Sequence, residues 1–138
     1  IQSMNTGHDG SISTVHANSA RDSISRLETM MLMAGFTLPE RALREQIASA
    51  LDIIIQVARL SDGSRKLTEF CEVTGMEGNV VSTQTIFQFR QMGLQNQKVV
   101  GEFAAGGVRP NFLDRLERHG FKIPSACFMP LSLIAKSA

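Results

Sequence analysis

Apolar and polar positions along the chain change period several times, and each change marks an element. Ile1 to Asn5 reads as the end of a helix, cut by a turn at Thr6-Gly7. From Ser11 to Ala17 the pattern alternates, with Ile12, Thr14 and His16 on one face and Ser13, Val15 and Ala17 on the other, which predicts a strand. Ile24, Leu27, Met31 and Ala34 then recur at helical spacing. Asn18-Ser19 caps that helix, with Ser19 and Asp22 approximating a capping box, and Gly35 is its natural stop. The methionines Met30, Met31 and Met33 read as core filler. A second helix is predicted from a Thr37–Glu40 capping box, with Pro39 in its first turn and Ala42, Leu43, Ile47, Ala50 and Leu51 inward.

Beyond Asp52 the period shortens. Ile53-Ile54-Ile55 followed by Val57-Ala58 predicts an interior strand buried on both faces. Asp62-Gly63 marks a hairpin turn, Arg65 to Thr74 the return strand, Gly75 to Asn79 a second turn, and Val80 to Arg90 a third strand. These three strands form an antiparallel meander. Gln91 to Gln97 reads as loop, Lys98 to Phe103 as a short strand, and Gly106-Gly107 as a break. A last helix starts at Arg109-Pro110, turns Leu113 and Leu116 inward and ends at Gly120. The apolar tail from Ser125 to Ala138 is expected to pack on a neighbour or to fray.

Composition narrows the class. The chain has 138 residues with 43% hydrophobic and 20% charged residues, enough for one ordinary domain with a core. The net charge of +1, with no basic cluster, points to neither nucleic acid nor an anionic membrane as an obligatory partner. No apolar run approaches the ~18–20 residues of a membrane span, so no membrane insertion is expected. Ile1-Gln2-Ser3 lacks the charged start and apolar stretch of a signal peptide, and the chain reads as a piece of a longer or processed protein. Cys71 and Cys127, far apart, read as free thiols of a reducing cytosol.

Chemistry concentrates near the start. His8 and His16 stand among Thr6, Gly7, Gly10, Thr14 and Asn18. Imidazole can donate to or accept from a phosphate oxygen, and glycines let backbone amides approach an anion. At the C-terminal end of a strand His16 would lie on the edge where open α/β sheets bind ligands. The alternative is a histidine bonded to its own turn. Zinc is a second possibility through His8, Asp9, His16, Cys71, His119 and Cys127, but seven residues between two histidines match no common zinc spacing, so no metal site is assigned. Glu69 and Glu72 read as an exposed strand edge. Asp114 and Glu117 alternate with Arg115 and Arg118 on a solvated helix face. A phosphate cradle of the G-x-x-x-x-G-K-[ST] type does not occur. Nor does an apolar strand ending in an acidic pair, so the chain does not carry a complete ATP site.

The segment Thr6-Gly-His-Asp-Gly-Ser-Ile-Ser-Thr-Val-His-Ala-Asn-Ser19 resembles the histidine box of secretion ATPases. With Arg26-Leu-Glu-Thr-Met30, Arg44-Glu-Gln-Ile-Ala-Ser-Ala50 and Glu72-Val-Thr-Gly-Met-Glu-Gly78, it resembles the Tad/CpaF-type pilus ATPases of the type II/IV secretion ATPase superfamily. The resemblance implies an α/β fold: the C-terminal portion of a RecA-like P-loop NTPase domain, a mixed sheet with an antiparallel meander and flanking helices. Residues 1–104 would complete the motor domain and 105–138 a small helical extension. The parent would be a cytoplasmic hexamer, peripheral at the inner membrane. It would use ATP and Mg²⁺ to drive pilus assembly or export through platform proteins. His16 would approach the γ-phosphate and report nucleotide state, with His8 supporting the same loop. Arg21 and Arg26 would contact phosphate or a neighbouring subunit. Alone, the chain is expected to bind no nucleotide tightly and to self-associate through the isoleucine run. The rival expectation is a non-catalytic module that docks neighbouring subunits or platform proteins.

Overall fold

The computed structural model describes residues 10–130. The expected helical end at Ile1–Asn5, the Thr6-Gly7 turn and the last eight residues of the tail lie outside them. The order is α1 (Ala20–Met33), α2 (Glu40–Ala50), β1 (Ile53–Arg59), β2 (Arg65–Glu77), β3 (Val80–Gln95), β4 (Lys98–Ala105), α3 (Phe112–Arg118) and a 3₁₀ turn (Ser125–Phe128). The four strands form one sheet in the order β1-β2-β3-β4. The chain divides into two compact units.

One unit runs through Ile54 and includes Val73–Thr83. The N-terminal cap of α1 forms as the sequence predicts. Ser19 Oγ accepts the Asp22 N–H at 3.0 Å, and the Asp22 carboxylate accepts the Asn18 N–H at 2.9 Å, one residue further back than in a standard capping box. At its other end Gly35 takes φ 84, the Gly35 N–H reaches the Leu32 carbonyl, and the Phe36 N–H reaches that of Met31. This is a Schellman stop. The capping box expected for α2 does not form: Pro39 is the capping residue, so Thr37 lies too far outside the helix to reach its amides. Glu40 instead approaches Arg44, whose guanidinium also grips the Glu28 carboxylate of α1 and the Asn79 carbonyl. Glu28 beside it holds the Arg44 guanidinium further above its ordinary range. Beneath that clasp Ile24, Met31, Leu43, Ile47 and Val81 form the unit's core.

The other unit spans Ile55–Glu72 and Gln84 onward. Its core gathers Ile86, Leu113 and Phe128, with Phe70, Phe87, Phe112 and Leu116 packed against them. The rings of Phe87 and Phe103 stack at 5.5 Å, and Phe128 meets Phe87 at 5.6 Å. Phe128 thus carries the start of the tail into the core. The last helix begins at Phe112, two residues later than the sequence predicts, and Gly120 (φ 87) ends it as expected.

Three expectations fail here for physical reasons. Among the described residues, Ser11–Ala17 forms no strand, because no neighbouring strand offers its backbone a ladder. The isoleucine run is not interior. Among the described residues β1 is an edge strand, and one of its faces is open: Ile55 and Val57 on that face are more than half exposed, while Ile54 packs against the first unit's core. The polar stretch Gln91–Gln97 is not a loop: β3 runs to Gln95, and only Asn96 and Gln97 turn, both with positive φ. That pair of left-handed residues is the twist-matched geometry of a tight hairpin.

Glu72 is also no exposed edge residue: it is 4% exposed. Its carboxylate accepts the Asn111 and Phe112 N–H groups, at 2.9 and 2.7 Å, and the Gln84 side-chain amide. Glu69, half-buried, accepts the Thr85 hydroxyl. Cys71, between them, is buried, and burial pushes its thiol up to about 11.

We expect Glu72→Ala to cost about 1–3 kcal/mol in urea denaturation, because the two amides at the head of α3 and the Gln84 side chain lose their shared, buried acceptor. Glu72→Gln, which keeps one acceptor oxygen, should recover part of the loss. A second expectation concerns Asp62. Ser64 donates to its carboxylate through hydroxyl and backbone, and the Val99 N–H donates at 2.8 Å, lowering its pKa from 3.8 to about 2. The folded value lies below the unfolded one, so this contribution is complete above about pH 4 and vanishes as pH falls through 2. In that window Asp62→Asn should flatten the pH dependence of hydrogen exchange at the Val99 amide; an unchanged profile would refute the clamp.

Candidate functional site

The candidate site is the run from Gly10 into the first turns of α1. Thr6, Gly7 and His8 lie outside the described residues. Gly10 takes φ 83, which only glycine adopts freely, and opens a turn. Thr14 and His16 follow on irregular backbone with exposed side chains. Ile12, on the same stretch, is 94% exposed. Asn18 contributes its backbone N–H to Asp22, and Ser19 then starts the helix.

Arg21 and Arg26 both stand exposed on α1. Five helical steps place them about 140° apart around the axis, so they do not converge on one small ligand. Arg26 instead borders a shallow depression with Asp22, Ser25, Thr29, Met30 and Met33. Of the three methionines expected as core filler, Met31 alone is core; Met30 and Met33 are 51% and 83% exposed, because they fall off the buried face of α1.

This donor set can meet one side of a phosphate. An exposed imidazole and a guanidinium supply donors, but the start of α1 is already occupied by the Ser19 hydroxyl and the Asp22 carboxylate. A carboxylate there opposes an anion at the same amides. The described residues therefore offer donors to one side of an anion and do not form a cradle around it. Among the described residues no group of three His, Cys, Asp or Glu side chains could hold a metal ion. The third histidine, His119, closes α3 in the other unit and is exposed.

Two residues that order the chain went unread as such in the sequence: Glu72 and Asp62. Asp62 had a signal, since Asp-Gly-Ser places an Asx-type acceptor two residues before a donor. Glu72 had none in its own segment, because both amide donors it serves lie far along the chain.

Residues 1–108 match the family of type II/IV secretion system proteins. The chain belongs to that family. A protein of Mycobacterium tuberculosis (strain CDC 1551 / Oshkosh) described as a conjugal transfer protein is 36% identical over 80 residues, 58% of this chain and 22% of its own. The conjugal transfer protein TrbB of Rhizobium radiobacter is 29% identical over 91 residues, covering 66% of this chain and 27% of TrbB. The type IV secretion system protein VirB11 of Bartonella henselae is 39% identical over 74 residues, 50% of this chain and 20% of VirB11. The chain thus spans between 20% and 27% of these relatives. No helix among the described residues is long and apolar enough to cross a membrane.

Proposed function

We propose that this chain is the C-terminal part of the motor of a secretion ATPase. The family match across residues 1–108 carries the reading. The whole protein would be a cytoplasmic hexamer peripheral at the inner membrane, with a RecA-like domain that hydrolyses ATP with Mg²⁺ and works on platform proteins. The relatives named for conjugal transfer and type IV secretion support that class. The Arg44–Ala50 and Glu72–Gly78 segments favour the Tad/CpaF branch, and so pilus assembly. Residues 1–104 would complete the motor, with 105–138 as its small helical extension.

Within that motor the phosphate cradle and magnesium ligands come from sequence beyond this chain, whose role is to bring His16 to the terminal phosphate. An imidazole can donate to a phosphate oxygen or bond a water in its place, so its contacts would change with the presence of the terminal phosphate. Exposure of His16 leaves it open to such a partner. The extended run before it would pair with the remainder of the motor's sheet, giving Ser11–Ala17 the ladder it lacks here. His8 would brace the same loop, and Arg21 and Arg26 would face different neighbours.

Two outcomes follow. This chain alone should release no phosphate from ATP above a buffer blank; turnover by a preparation free of contaminating ATPases would overturn the division of labour. In the whole ATPase, His16→Ala should lower turnover about 10-fold or more while nucleotide affinity changes little, the signature of a contact that matters after binding. Normal turnover in that variant would reduce the segment to a structural turn.

A further inference from the structure

An acidic side chain stands beside the run that carries His16. Asp22 lies in the first turn of α1, where a carboxylate repels the phosphate that His16 would read. It therefore serves something other than that phosphate. Arg26, four residues on, is the partner that helical spacing offers it. The carboxylate turns back instead, and Oδ2 accepts the Asn18 N–H at 2.9 Å.

That amide belongs to the peptide that links Ala17 to Asn18, one residue beyond His16. Exposure alternates across this stretch: Thr14, His16 and Asn18 are exposed, while Val15 and Ala17 are half-buried. Ser19, at φ −155 and ψ 167, keeps the chain extended up to the first turn of α1. An extended backbone sends successive side chains to opposite sides, so a turn of the chain at Asn18 changes the side that His16 takes. No strand ladder holds the run in one phase among the described residues.

The helix behind this bond is fixed. Ala20, Ser23 and Ile24 are buried, and the Ser23 hydroxyl donates to the Ala20 carbonyl at 2.6 Å. Ser19 Oγ accepts the Asp22 N–H at 3.0 Å, which sets the backbone from which the carboxylate reaches out. Order therefore passes from a packed helix to Asp22, from Asp22 to the Asn18 amide, and from there to the residue two positions back.

We propose that Asp22 is a positioning residue for His16: its carboxylate holds the Asn18 amide and so keeps the imidazole on the outward side of the chain. This role rests on the reading of His16 given above. Asp22 touches no phosphate in it. It narrows the range of the imidazole beforehand, so less ordering is left for the step in which nucleotide is sensed. The partial positive charge at the start of α1 favours a carboxylate in this place and offsets part of its repulsion toward nucleotide.

Four forms of the whole ATPase test this: the parent, Asp22→Ala, His16→Ala and the double variant. Asp22→Ala should lower turnover about 5-fold with little change in KM for nucleotide, because the imidazole spends less time in place. Asp22→Asn keeps a carbonyl acceptor for the Asn18 amide and should recover most of that loss. In the His16→Ala background, Asp22→Ala should cost nothing further. Hydrogen exchange at the Asn18 amide gives a readout apart from turnover. It should quicken about 5-fold in Asp22→Ala and stay slow in Asp22→Asn. Circular dichroism checks that each variant folds. The same loss from Asp22→Ala with and without His16, no recovery by Asp22→Asn, or unchanged exchange at Asn18 would overturn the positioning role and leave the His16 reading standing. Normal turnover in His16→Ala would overturn both.

Discussion

The arrangement of the second unit depends on one carboxylate. Glu72 sits inside β2 with almost no access to water, a position that strongly disfavours a charge standing alone. Three donors offset that cost: the Gln84 side chain on the next strand and the two amides at the head of α3. The bond is local to neither partner in sequence. It draws a helix nearly forty positions away onto the sheet, and Leu113 and Phe112 then reach the phenylalanine cluster. A seven-residue helix has little stability of its own, so its position rests on that cap and on the apolar contacts beneath it.

Most local chemistry was legible in the sequence, the Thr37–Glu40 cap excepted, and so was the order of the meander; the non-local contacts that set burial and strand length were not. The cap at Ser19, the glycine stops at Gly35 and Gly120 and the turn at Asp62-Gly63 are decided by residues within a few positions of one another, and the chain shows them openly. The isoleucine run misled because three apolar residues report only an attraction to an apolar face; how many neighbours the strand has is settled elsewhere in the chain. Gln91–Gln97 misled in the opposite sense. Glutamine carries little strand preference, and it was the pairing with β4 that extended β3 through it. The histidine segment was recognisable from residue types alone, but its backbone state was not, because a strand exists only where another strand meets it.

Two stretches of the first unit contrast in how their polar groups are held. Near His16 the helix cap is complete and the segment before it forms no strand among the described residues. At Arg44 one guanidinium joins both helices and the β2–β3 turn, and removes most of the freedom of three elements. The segment Arg44–Ala50 is in this sense architectural.

The two sulfurs of the chain complete that contrast. Cys71 is closed off between strands and held protonated. Cys127 is exposed, and its neighbour Phe128 is buried in the second core. The protein therefore offers a single addressable thiol at neutral pH, seated beside the residue that fastens the tail. A spectroscopic label placed there reports on the packing of Phe128 in the second core, without an engineered cysteine.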